Sequence, residues 1–260
     1  MNFFLRLICI FIPGSHNRHR FKRKIKNIPM AVKMFLPSVS LRRQKFDFIV
    51  SLGDRCQTSF QMRANNLQNR SYPFDWLCKA NVNNLIDLVN NNFQNFLDRR
   101  DLVPVGHDKY NLIVDNNRTG YKFMHDFRYD TIDEDYNIMA AKYDRRFDRF
   151  NKSVNHAHSV LFVYRNDDAT LDDIKQLHAA LTHRFKSTKK INILWIVNTP
   201  NQSQIIKTNV SDGVCRATFD CDAFYGDDEI HRWEGNANKY QELFKQYALT
   251  IRGYFYEKRG

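Results

Sequence analysis

The run Phe48-Ile49-Val50-Ser51-Leu52 stops at Gly53, and Cys56 follows three residues later. A short apolar run with a β-branched centre, bounded by glycine, reads as a buried strand. Gly53 permits a sharp exit from it. Asp54 is a good helix cap, and Phe60, Ala64 and Leu67 recur at helical spacing. A helix therefore begins here, with Cys56 in its first turn. Free backbone N–H groups and the positive end of the helix dipole favour a thiolate at that place. A strand, a glycine turn and a nucleophile at a helix N-terminus together expose a reactive side chain. The competing reading makes Cys56 a buried small hydrophobe.

The rest of the chain keeps alternating helical and strand patterns. Val82, Leu85, Ile86, Val89, Phe93, Phe96 and Leu97 hold a helical period over more than four turns. Tyr110–Val114 reads as a strand, Asp115-Asn116-Asn117 as the turn after it, and Gly120–Met124 as the partner strand. Tyr136 to Val154 is again amphipathic. Lys142, Arg145, Arg146 and Arg149 lie on its basic face, interleaved with Asp144 and Asp148. That face is either a set of i,i+4 pairs or a surface for an anionic substrate. Ser159–Tyr164 is a buried strand, Thr170-x-x-Asp173 a capping box, and Leu171 to Phe185 an amphipathic helix. Ile191–Val197 is a further strand. Strand, helix, strand reads as a right-handed βαβ unit with parallel strands. Loops at the strand C-termini, Arg165–Asp168 and Asn198–Pro200, border a ligand crevice in such a sheet. A strand at Val214–Phe219, an acidic loop at 220–229 and a last helix through Ala237, Tyr240, Phe244, Tyr247 and Ile251 complete the pattern.

Three side chains are candidate partners for Cys56. His125, at the end of a strand, is placed to act as a general base, or is simply a structural histidine. His231 is its rival. Asp75 lies between Phe74 and Trp76, an expensive place for a carboxylate unless it is paired or hydrogen-bonded. Asp126, next to His125, points to the opposite face of a strand and is poorly placed to orient it.

Composition separates the tail from the remainder. Of the 40 Lys and Arg, 11 lie in residues 1–45, where there is no Asp or Glu. That leaves 29 basic against 28 acidic residues, so the net charge of +12 resides almost wholly in the tail. Phe3–Ile12 is apolar apart from Arg6. It is too short to span a bilayer, which needs about 20 residues. Its positive charges follow the apolar run, unlike those of a secretory signal. An apolar patch beside a basic cluster suits the anionic inner face of a cell membrane; the competing reading is a disordered, solvated tail. The chain is expected to be cytoplasmic and peripheral on that surface, with no nucleic-acid partner, since no base-reading module is present. Five cysteines, Cys9, Cys56, Cys78, Cys215 and Cys221, are odd in number and irregularly spaced. They fit a reducing compartment better than a disulfide framework. Cys215 and Cys221 are at most a weak zinc signal, and no metal or cofactor is expected.

Ser51-Leu52-Gly53-x-x-Cys56, followed by Ser71-x-Pro73-Phe74-Asp75-Trp76, resembles a bacterial domain family of unknown function described as papain-like cysteine peptidases. Phe123-Met124-His125-Asp126-Phe127, Lys142 to Phe150 and Val160-Leu161-Phe162-Val163 are similar as well. The resemblance covers about residues 46–197. It implies a cysteine nucleophile at Cys56 and makes His125 the preferred general base; with Asp126 on the opposite face of the strand, Asp75 is the preferred group to orient it. Papain-like enzymes place a glutamine shortly before the nucleophile, and none lies between Phe46 and Cys56. Backbone N–H groups around Gly53–Cys56 must then supply the oxyanion hole.

These patterns predict a tail and linker over 1–45 and one α/β layered domain over 46–260, with parallel βαβ units and flanking helices. The alternative is a papain-like α+β fold. The expected function is acyl transfer to water by a cysteine-dependent, papain-like peptidase-type hydrolase acting on a peptide or glycan substrate. The alternatives are an acyltransferase in surface polysaccharide biosynthesis and a membrane-tethered, non-catalytic module that binds a glycan precursor through Arg145, Arg146 and Arg149.

Overall fold

The computed structural model of the chain describes residues 43–53, 55–68, 70–78, 81–224 and 229–253, without the side chains of 229–231. Residues 1–42, which carry the tail reading, and Asp54 lie outside the described residues. The described residues from Gln44 to Gly253 form one compact unit.

The chain starts with β1 (Gln44–Phe46) and β2 (Phe48–Ser51), followed by α1 (Cys56–Ala64), β3 (Leu77–Cys78) and α2 (Val82–Asn90). Then come β4 (Leu102–His107), β5 (Leu112–Asn116), β6 (Lys122–Phe127) and α3 (Ile132–His156). β7 (Ser159–Arg165), α4 (Leu171–Arg184), β8 (Lys190–Asn198), β9 (Ile206–Ser211) and β10 (Val214–Phe219) form the second half, closed by α5 (Ala237–Phe244) and β11 (Tyr247–Leu249). The central sheet has the order β2-β7-β8-β10-β9. Its first four strands are parallel, and β9 runs antiparallel to β10. All seven residues of β7 are buried, as expected of a parallel strand covered on both faces. Its side chains alternate between two cores. Val160, Phe162 and Tyr164 join the core that contains Leu85, Tyr143 and Leu177, from α2, α3 and α4. Leu161 and Val163 join the other, which contains Met62 of α1 and Tyr240 of α5. The chain is thus a mixed α/β fold with helices on both faces of a largely parallel sheet.

A second sheet, β3-β6-β5-β4, is antiparallel throughout and is inserted between α1 and α3. Phe74 ties it to the helices, with ring contacts to Phe93, Phe96, Tyr121, Phe147 and Phe150 at 5.7–6.1 Å.

Several elements differ from the sequence reading. Gln44 and Lys45 are not linker: they extend β1, which pairs in parallel with β11. That same pairing makes Tyr247–Leu249 a strand, so α5 ends at Phe244. The helix that starts at Val82 stops at Asn90, because the asparagine-rich stretch after it adopts left-handed backbone at Asn92, Phe93 and Asn95. Phe93, Phe96 and Leu97 remain buried, so the periodicity marked the core correctly but not the helix. β4 contains Pro104, which an edge strand with a register shift tolerates.

Candidate active site

The C-terminal ends of β2, β7 and β10 point the same way, and the residues that follow them form one rim. From β2, Leu52 N–H donates to Val163 O at 2.9 Å. Gly53 then turns with φ +93°, a value that disfavours any residue with a Cβ. An added Cβ would also press on the Tyr121 ring at 3.1 Å and the Phe74 carbonyl at 3.3 Å. The Tyr121 hydroxyl donates to Leu52 O at 3.0 Å, fixing the turn from below. Arg55, in extended conformation, occupies the N-cap position, and Cys56 is the first residue of α1.

Cys56 opens onto a cavity of about 1900 Å³. His125, Asp126 and Cys78 come to it from the antiparallel sheet, and Lys142 and Arg146 from α3. Phe60, Trp76 and Trp233 form an aromatic wall, with Trp233 5.0 Å from Phe60 and 6.4 Å from Trp76 between ring centres. Trp76 holds φ +65°, a strained backbone for a side chain of that size.

The nearest polar partner of Cys56 is another thiol. Its Sγ lies 3.7 Å from Sγ of Cys78. The hydrogen bond with Cys78, burial and the charge interaction with Cys78 push the Cys56 thiol well above its ordinary range, and Asp126 adds to the effect. The expected lowering at the helix N-terminus is therefore outweighed. The backbone of Cys56 does act in that direction, but less strongly.

The structure brings Cys56 and His125 to one cavity but does not bring Asp75 there. His125 is exposed within β6, not at its end. Among the described residues no carboxylate is hydrogen-bonded to it; its charge reaches Asp108, whose carboxyl is held below the usual range mainly by the backbone N–H groups of Tyr110 and Asn111. Asp75 is fully buried. It accepts from Ser59 Oγ at 2.9 Å, Gln68 Nε2 at 2.5 Å, Tyr72 N–H at 2.8 Å and Arg63 at 3.4 Å. Burial nevertheless raises its carboxyl above the usual range. Asp75 thus pins the Ser71–Trp76 turn to α1. The side chain of His231 lies outside the described residues.

Asp126, read as lying on the strand face opposite His125, is buried where His125 is exposed, and it forms part of the cavity wall. It is ion-paired with Lys142, and the Tyr143 hydroxyl donates to it at 2.8 Å. Of the arginines on α3, Arg146 lines the cavity and Arg149 donates to Ser71 O at 2.9 Å, while Arg145 is exposed.

A further network at the rim lay outside the sequence reading. Arg165, at the end of β7, is fully buried and clamps both oxygens of Asp222 at 3.0 and 2.8 Å. It also donates to Gln57 Oε1, which accepts from the Tyr240 hydroxyl at 2.9 Å. Gln57 follows the nucleophile candidate and is tied into the fold, so it is not aimed at an oxyanion. Gly235 stands against it with φ +68°, where a Cβ would collide with Gln57 Nε2 and the Cys221 carbonyl. A buried Arg at a strand end is a signal for such a carboxylate partner, but Asp222 is too distant in sequence to be assigned to it. Cys78 carried no signal at all, since only the pairing of β3 with β6 brings it to Cys56.

Among the described residues no group of three or more His, Cys, Asp and Glu is placed to hold a metal ion. No described helix is long and apolar enough to cross a membrane. No curated protein and no solved structure matches the chain. A family model described as "putative papain-like cysteine peptidase" matches residues 47–201, which include Cys56, Cys78, His125 and the whole of α3. That match spans more than half of the 260 residues, and the chain belongs to this family.

Proposed function

We propose that the chain is a cysteine-dependent hydrolase of the papain-like peptidase type, with Cys56 as nucleophile and His125 as general base. The observation that carries this reading is the position of Cys56, the first residue of a helix, open to a large cavity that His125 also lines. With substrate bound, His125 takes the thiol proton as Sγ attacks the carbonyl carbon. The oxyanion that forms faces the backbone N–H groups at the start of α1. His125 then returns the proton to the leaving group, leaving a thioester on Cys56. Water, deprotonated by His125, releases the acid and restores the thiol. Because Cys56 resists ionisation, its proton leaves only as the base engages it, so the resting enzyme keeps a protonated thiol.

The test is turnover of a panel of peptide, ester and thioester substrates by wild type, Cys56→Ala and His125→Ala, with the acyl-enzyme trapped and mapped by mass spectrometry. The expected result is an acyl group on Cys56, cleavable by hydroxylamine, and loss of turnover in both variants. Turnover that survives in Cys56→Ala overturns the assignment.

The aromatic wall favours a second reading. Trp76 and Trp233 offer flat apolar faces beside the nucleophile, which suit a sugar ring as the acyl acceptor. In that case the thioester passes to a sugar hydroxyl instead of to water. Saturable binding of an acyl carrier such as coenzyme A, which a peptidase does not need, separates the two.

A further inference from the structure

Cys56 and Cys78 stand out among the cysteines. They come from different elements, α1 and β3, yet their sulfurs are 3.7 Å apart. A disulfide needs about 2.05 Å, so the two sulfurs together must close only roughly 1.6 Å. The pair lies on the wall of the cavity, within reach of small solutes. The other described cysteines are placed differently. Cys221 is fully buried, its Sγ directed at the carbonyls of Phe219 and Val197, and burial pushes its thiol up to about 12. Cys215 sits on β10 with its Sγ toward its own strand, at the Arg216 carbonyl.

We propose that Cys56 and Cys78 form a reversible oxidation site, in which a small disulfide such as oxidised glutathione, or a hydroperoxide, converts the two thiols into a Cys56–Cys78 disulfide. The more exposed Cys78 reacts first. As a thiolate it attacks the small disulfide, forming a mixed disulfide and releasing one small thiol. Cys56, its proton lost to solvent, then attacks the Cys78 sulfur and releases the second small thiol. Two protein thiols are oxidised and one small disulfide is reduced to two thiols. With a hydroperoxide, Cys78 becomes a sulfenic acid as the alcohol (or, from hydrogen peroxide, water) departs, and the Cys56 thiol then displaces its hydroxyl as water. The disulfide does not depend on the hydrolase reading. Its consequence, that oxidation removes the nucleophile and protects it from over-oxidation, rests on that reading.

The test uses the full chain equilibrated in mixtures of reduced and oxidised glutathione, quenched with an alkylating agent and digested for mass spectrometry. The expected product is a linked pair of peptides containing Cys56 and Cys78, which a dithiol reductant reverses. In Cys78→Ser, glutathione is expected to remain on Cys56 as a mixed disulfide, because the resolving sulfur is gone. In Cys56→Ser it is expected to remain on Cys78. Alkylation of both Cys56 and Cys78 in wild type at a redox poise that oxidises a model dithiol overturns the proposal. So does a dominant link from either residue to Cys9, Cys215 or Cys221. These readouts are independent of turnover, so a protein that forms the disulfide but hydrolyses nothing refutes the enzyme reading alone.

Discussion

Replacing Cys78 with alanine is expected to move the titration of Cys56 downward. In wild type, the Cys56 thiol hydrogen-bonds with Cys78 at 3.7 Å, and its ionisation is further opposed by burial and by charge on Cys78. Two unit charges at that distance repel by about 4 kcal/mol at an effective dielectric of about 20, equivalent to about three pH units. Cys78 is half-exposed, so solvent screening trims this toward the lower end. Alanine removes the repulsion and the hydrogen bond and leaves the burial in place. The midpoint should fall by about one to three pH units. The assay is the rate of Cys56 alkylation against pH, read peptide by peptide in both proteins. The midpoint carries the result, because the smaller alanine also opens access and raises the plateau rate for a trivial reason. A midpoint that stays in place or rises would refute the argument that Cys78 holds the Cys56 proton.

Three further outcomes can be checked. Asp222→Ala should destabilise the fold by about 3 kcal/mol in a denaturant titration, because it strips a fully buried Arg165 of its main partner. Burial works against the Asp222 charge, but Arg165 outweighs it and lowers the carboxyl below its usual range. Its stabilising contribution is therefore present above the unfolded carboxylate value of about 4 and is lost as the pH falls through the lower folded value; the Asp222→Ala deficit should shrink over the same acidic range. Asp75→Ala should destabilise by at least about 3 kcal/mol, since it leaves the Ser59, Gln68 and Tyr72 donors without their acceptor at about 1–3 kcal/mol each. The Cys56 alkylation midpoint of the folded fraction should be unchanged; a shift there with stability intact would return Asp75 to the site. Deleting residues 1–43, up to the start of β1, should abolish co-sedimentation with anionic vesicles, and equal binding by the shortened chain would refute the tail reading.

Much of the fold was legible because it depends on neighbours in sequence. The apolar run Phe48–Leu52, the glycine at 53 and the helix opening at Cys56 were read from local pattern and are where the pattern put them. So were β7, α4 with its Thr170–Asp173 capping box, and β8, which together form a parallel βαβ unit. The places that differed are those where a distant segment decides the outcome. Tyr247 fits a helical face as well as a strand, and only pairing with β1 selects the strand. Phe93, Phe96 and Leu97 keep the helical spacing of a core face, yet turns deliver them to that core just as well.

The same division runs through the site. Sequence alone determined that a cysteine would begin a helix after a buried strand, because strand, turn and helix signals there are all local. It also put His125 at the end of a hairpin strand, although that strand runs on past it to Phe127. Which groups surround Cys56 was decided by the tertiary structure. The antiparallel insertion carries Cys78, His125 and Asp126 to the cavity, while Asp75 turns inward to four donors. The environment that raises the Cys56 thiol comes from residues 22 and 70 positions away, Cys78 and Asp126. Charge and burial act through space, and only the packing of the two sheets and α3 sets those distances.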